Sequence, residues 1–190
     1  MPKNILVLSG SPKKNGNTAA LVEWFAEGAH LEGAHVEVVQ TAFLKYDFPG
    51  CTSCRSCQKT DGYECTIEDD VKSVLAKMIL ADVIVMATPL YFFAASAQLK
   101  MVIDRMFSLY RWDNAAGTMK TSLKGKTLVL LASAYEDVGM DALEKPFALT
   151  ADYTGMKFES LLVPNAGESG DIRRKSGVRE KAVALGEKVA

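Results

Sequence analysis

Ile5-Leu6-Val7-Leu8-Ser9-Gly10-Ser11-Pro12-Lys13-Lys14-Asn15-Gly16-Asn17-Thr18-Ala19-Ala20-Leu21 runs from an apolar stretch, through hydroxyls and amides, into a helical pattern. Strand, turn and helix start in that order make an anion site. Free N–H groups at a helix N-terminus point outward, and the helix dipole favours negative charge there. Ser9, Ser11, Lys13, Asn15, Asn17 and Thr18 are the candidate ligands for a phosphate. The stretch contains neither G-x-x-x-x-G-K-[ST] nor G-x-G-x-x-G, which disfavours a nucleoside triphosphate or a dinucleotide. The same residues also read as an ordinary βα turn in which Thr18 caps the helix.

Outward from this unit, apolar runs alternate with helical spacing. Strands are expected at Ile5 to Leu8, Val36 to Val39, Val83 to Met86, Leu128 to Leu131 and Phe158 to Val163. Helix faces are read from Val71, Val74, Leu75, Met78 and Ile79, and from a run of apolar positions between Leu99 and Tyr110. A less regular helix spans Met140 to Tyr153, and a last one carries Val178, Ala182, Leu185 and Val189. The alternation predicts an α/β fold: a doubly wound five-stranded parallel sheet with helices on both faces. Glu37 breaks the second strand into half-exposed alternation and marks it as an edge, as in strand order 2-1-3-4-5. The whole chain, 1–190, reads as one domain with a cysteine-rich loop at 51–65. The irregular segments are Thr41 to Thr66, Trp112 to Lys124 and Pro164 to Asp171.

Of the 190 residues 48% are hydrophobic, enough for a sizeable core. Lys and Arg total 22 against 23 acids, so no broad positive field exists to hold nucleic acid or an anionic membrane. The apolar runs fall far short of a membrane span, and Met1-Pro2-Lys3-Asn4 leaves no room for a signal peptide. The expected location is cytoplasmic.

Several motifs carry a resemblance. Gly10 to Thr18, Ile67-Glu68-Asp69-Asp70, Ala81-Asp82-Val83-Ile84-Val85 and Thr88-Pro89-Leu90-Tyr91-Phe92 resemble the flavodoxin-like NAD(P)H-dependent FMN reductases and iron-sulfur flavoproteins. Ser96-Ala97-Gln98-Leu99-Lys100, Asp104-Arg105 and Gly167-Glu168-Ser169-Gly170-Asp171-Ile172 follow in the family's order. The resemblance implies FMN with its phosphate on the loop Ser9 to Thr18. In this topology ligands sit where the strand order reverses, so the flavin ring is expected beside Pro89, Leu90, Tyr91 and Phe92 and beside Ser133 and Tyr135. The family often has glycines in that last loop, and Ser133-Ala134-Tyr135-Glu136-Asp137 departs from it. The aromatics at 91–93 also read as plain core under a loop.

Implied too are NAD(P)H as electron donor, a quinone, small oxidant or redox protein as acceptor, and a homodimer or homotetramer. No acidic or nucleophilic side chain is required, because the chemistry is the flavin's. A non-catalytic electron carrier is the alternative, against which the net charge of −1 argues mildly. A thiolate module without flavin is a further one.

Cys51, Cys54, Cys57 and Cys65 form C-x2-C-x2-C-x7-C inside one long connection. Two successive two-residue gaps let a turning backbone aim three thiolates at a 4Fe-4S cluster, with Cys65 returning as the fourth ligand. Iron-sulfur flavoproteins resemble the chain at these cysteines. Zinc and metal-free redox thiols remain open. A loop leaving strand two is expected to cross back over the sheet's carboxyl edge, which would put the cysteines near the flavin. Thr66 is expected to cap the helix that follows, with Asp69 and Asp70 structural. Asp104 and Arg105 read as ion-pairing residues, and His30 and His35 as surface.

Overall fold

Side chains of a strand point alternately to the two faces of its sheet, and here the central strands are apolar on both. The sheet must therefore be covered twice. The computed structural model describes residues 2–60, 62–113 and 115–190; Met1, where the reading of no signal peptide begins, lies outside them.

The elements run β1 (Asn4–Ser9), α1 (Asn17–Leu31), β2 (His35–Gln40), α2 (Asp70–Leu80), β3 (Val83–Pro89) and α3 (Ala97–Arg105). There follow β4 (Tyr110–Asp113), β5 (Thr118–Thr121), β6 (Thr127–Ser133), α4 (Met140–Thr154), β7 (Lys157–Val163) and α5 (Val178–Val189). Five strands form a parallel sheet in the order β2-β1-β3-β6-β7, which is the expected 2-1-3-4-5. Register pairs Val7 with Val38 on one side and with Val85 on the other, so β1 sits inside and β2 at the edge. Glu37, half-buried on the face that α2 covers, pairs with Lys77, and Val38 on the other face is the exposed position.

Leu6, Leu8, Ile84, Met86, Leu128 and Leu130 face one core, shared with α2, α3 and α4. Ile5, Val7, Val83, Val85, Val129 and Leu131 face the other, under α1 and α5. Those last two helices touch backbone to backbone. A Cβ on Gly28 would stand 2.0 Å from the Val183 carbonyl oxygen, and one on Gly186 would stand 2.1 Å from that of Phe25.

Several expectations are corrected. The helical spacing from Leu99 to Tyr110 does not hold one helix: α3 ends at Arg105, a 3-10 turn covers Met106–Leu109, and Tyr110 opens β4. The Leu109 carbonyl is taken by Thr121 Oγ1 at 3.0 Å and the Ser122 N–H at 3.2 Å, which pulls the chain out of the helix. Consequently the segment Trp112 to Lys124 is not all irregular. β4 and β5 form an antiparallel hairpin there, with Asp113 Oδ1 accepting from the Ala115 and Ala116 N–H groups. Asn114, within it, is outside the described residues. Finally, Asp69 and not Thr66 caps α2, its side chain accepting from the Val71 N–H at 3.1 Å.

The connection between β2 and α2 also takes another path. Tyr46 Oη donates to Thr41 O at 2.6 Å and lies 3.3 Å from Gln98 O near the start of α3, whereas Gly50 lies against Asp104 near its end. The chain descends alongside α3 instead of crossing the carboxyl edge.

Candidate functional site

β1 delivers Gly10 to the carboxyl edge of the sheet, where its N–H donates to Ala87 O and its carbonyl accepts from Ser96 Oγ, both at 2.7 Å. Only glycine fits: a Cβ would stand 2.6 Å from Ser96 Oγ and 2.7 Å from Leu99 Cβ. The loop then folds on itself through Ser11 Oγ, which accepts from the Lys13 N–H at 3.3 Å. Helix α1 begins behind Gly16 with no side-chain cap and no acid in its first turn. Thr18 is therefore not the cap. It lies inside the helix with Oγ1 3.3 Å from Ser133 Oγ.

The uncapped N-terminus opens into a cleft of about 260 Å3. Ser11, Lys13, Gly16, Asn17 and Thr18 form its floor; Pro89, Leu90 and Tyr91 form one wall, and Ser133, Ala134 and Tyr135 the other. The walls are tied by a 2.8 Å hydrogen bond from the Leu90 N–H to Ser133 O. Ala166, Gly167 and Ser169 close the far side.

Asn17 holds that closing segment in place. Its amide Nδ2 donates to Ala166 O at 2.7 Å and Glu168 O at 2.9 Å, and Oδ1 accepts from the N–H groups of Gly170 and Ile172. The side chain is thereby occupied by protein, leaving its backbone N–H to the cleft. Ser9 stands off the cleft: its side chain is buried beside α1, and Oγ has no partner among the described residues. Asn15 is exposed and offers its carbonyl to Ser169 Oγ. Phe92 also stands outside. It is 99% exposed at the tip of a turn closed by paired hydrogen bonds between Tyr91 and Ala94, whereas Tyr91 faces the cleft at 46%. Ala166, Gly167 and Ser169 join the cleft from a stretch, Gly167 to Ile172, that the sequence marks as a motif without a role at the site.

All four cysteines line one small cavity, of about 20 Å3, at the C-terminal end of α3 with Arg105, Phe107 and Ser108. Ser53 and Arg55, with φ of 58° and 57°, turn the chain between Cys51, Cys54 and Cys57. Among the described residues no three His, Cys, Asp or Glu side chains form a group able to hold a single metal ion. Hydrogen bonds from the backbone and side chain of Ser56 lower the exposed Cys54 thiol to about 7, and burial raises that of Cys57. Behind the cavity lies a fully buried ion pair. Arg105 Nη1 reaches both carboxylate oxygens of Asp69 at 2.6 Å, and Nη2 donates to Ile67 O. The pairing expected of Arg105 thus holds together the 67–70 segment and α3, while Asp104 pairs with Lys100. His30 and His35 are exposed. No described helix is long and apolar enough to cross a membrane.

Comparison with known proteins gives a consistent picture. An iron-sulfur flavoprotein of Methanocaldococcus jannaschii is 40% identical over 101 residues, covering 53% of this chain and 50% of that protein. The chain thus matches about half the length of that relative. An NAD(P)H-dependent FMN-containing oxidoreductase of Bacillus subtilis is 25% identical over 90% of this chain and 89% of that one. The same fold occurs in an FMN-dependent NADH-azoreductase from Bacillus anthracis, with TM-score 0.75, 13% identity, and coverage of 98% and 99% of the two chains. The sequence profile of the NADPH-dependent FMN reductases matches residues 3–158, and the chain belongs to that family.

Proposed function

We propose that the chain binds FMN in the cleft, takes electrons from NAD(P)H, and passes them to a quinone, a small oxidant or a redox protein. The observation that carries this reading is the uncapped N-terminus of α1 opening between the loops after β3 and β6, with Lys13 beside it. Orphan N–H groups and a cation suit a phosphate. Pro89 and Leu90, with Tyr91 and Tyr135, suit the flat, largely apolar face of a flavin. FMN supplies the redox chemistry when bound. The chain's own part is to anchor the phosphate, hold the ring between two loops tied at Leu90 and Ser133, and offer main-chain groups to its edge.

Cys51, Cys54, Cys57 and Cys65 would hold a 4Fe-4S cluster. A cube takes one cysteine at each iron, so its thiolates ring a volume, whereas a single zinc draws all four sulfurs within ~2.3 Å of one point. Four cysteines lining one cavity support a shared thiolate site. The iron-sulfur flavoprotein relative supports the cube. The acting unit in this reading is a homodimer or homotetramer. Exposed Phe92, Trp112 and Tyr153 offer apolar surface for such contacts, and light scattering reports the state.

Protein purified without oxygen and loaded with FMN is expected to oxidise NADH or NADPH when a quinone or ferricyanide is present. FMN binding without pyridine-nucleotide oxidation would leave a non-catalytic carrier. Absence of FMN binding would overturn the reading.

A further inference from the structure

We propose that Arg105 is a positioning residue for the cysteine site, donating its Nε–H to the Cys65 sulfur and thereby favouring the electron-rich form of a cluster bound there. The inference rests on the cluster reading above.

Every other donor edge of the guanidinium that the structure uses is assigned. Nη1 binds the Asp69 carboxylate and Nη2 the Ile67 carbonyl. Nε is buried and has no partner among the described residues. A charged group's N–H left unpaired in the interior is costly, so the fold has a reason to supply an acceptor. Arg105 lines the cysteine cavity together with Cys65, which is itself buried. The arrangement explains why so costly a pair is kept at this place. Asp69 fixes the fork and caps α2 at once, so Cys65, four residues before it, is held on the cavity wall that the guanidinium shares.

Asp69 also offsets the arginine's charge, so what reaches the sulfur is one oriented N–H dipole and not a bare cation. The effect on electron affinity is correspondingly moderate. The electron that a bound cluster takes up comes singly from FMN reduced by NAD(P)H in the proposed reaction. No proton moves, and Arg105 stays charged throughout. Negative charge grows on the iron and on its sulfur ligands, and an N–H donor to one sulfur strengthens as it grows.

Wild type and Arg105→Lys, each reconstituted anaerobically with iron and sulfide, provide the test through redox titrations followed by visible absorption and electron paramagnetic resonance. Lysine keeps a cation for Asp69, but one ammonium group cannot serve Asp69, Ile67 O and Cys65 in a planar fork. The expected result is unchanged FMN and iron content, with the reduced-to-oxidised ratio of the cluster at a fixed potential lowered about tenfold, or about 59 mV for one electron. An unchanged potential at full iron content overturns the inference and leaves the cluster reading intact. Wild type that takes up no iron overturns both. Should the lysine variant not fold, 15N-arginine labelling of reduced wild type decides: a nitrogen hyperfine coupling to the cluster is expected, and its absence overturns the inference.

Discussion

Asn17 separates two roles that a sequence merges. The pattern Asn17-Thr18 at a helix start reads as two phosphate ligands, yet the Asn17 side chain meets four backbone groups of the 166–172 segment. Thr18 Oγ1 meets only Ser133 Oγ. Asn17→Ala is expected to lower stability by about 1–3 kcal/mol, because buried backbone groups lose their partner. Thr18→Val keeps the shape, and its expected effect is a loss of about 1 kcal/mol or more in FMN affinity with little change in stability. Urea melts and flavin fluorescence titrations separate the two. The variants behaving alike would show that the distinction is wrong. Lys13, Leu90, Tyr91, Ser133 and Tyr135 were legible because a strand-end loop at the strand-order reversal must face the cleft. Asn17's clamp was not, since its partners lie about 150 positions away.

Among the elements, the sheet and the long helices were readable because burial on both faces or on one stripe writes a period into the sequence. Short pieces decided by a single competing bond were not. The end of α3 depends on who claims the Leu109 carbonyl, and the start of α2 on Asp69 outcompeting Thr66. The turn between Tyr91 and Ala94 is the sharpest case. Phe92 and Phe93 have φ of 46° and 64°, in a two-residue connection that prefers Asn-Gly. Phe93 is anchored, since its ring fills the space beside Gly139. Phe92 touches little, so Phe92→Asn is expected to raise stability by about 1 kcal/mol by relieving the left-handed backbone. A fall in the melting temperature would mean that Phe92 packs against something beyond this chain. On the opposite face, Gly28→Ala is expected to cost about 1–3 kcal/mol, because α1 and α5 must part. Adding Gly186→Ala should cost less than its single effect, as the helices are then already apart.

For the molecule as a whole, one readable consequence is its response to alkali. Burial, then the Asp69 charge, pushes the Tyr46 phenol up to about 12, and burial does the same to Tyr110. Both neutral forms are favoured by folding, so their contribution is fully present below the ordinary phenol value of about 10. It is lost as pH rises toward 12, where the unfolded chain releases protons that the folded one keeps. Stability should fall across that window, and Tyr46→Phe should flatten the fall, by on the order of 1 kcal/mol. A slope identical to wild type would show that Tyr46 is not responsible. The sequence suggested the doubly wound order from the Glu37 edge and the alternation of elements, but not the descent of the cysteine connection along α3. That path is set by Tyr46 reaching Thr41 and Gln98, and no periodicity encodes it.

The embrace of α1 and α5 extends to the start of β1, where Lys3 Nζ donates to Val189 O at 2.9 Å. Residues near both extremities thus meet at the amino ends of the strands, and the cleft opens at the opposite rim. A label or support attached beside Lys3 or Val189 therefore leaves the cleft turned outward.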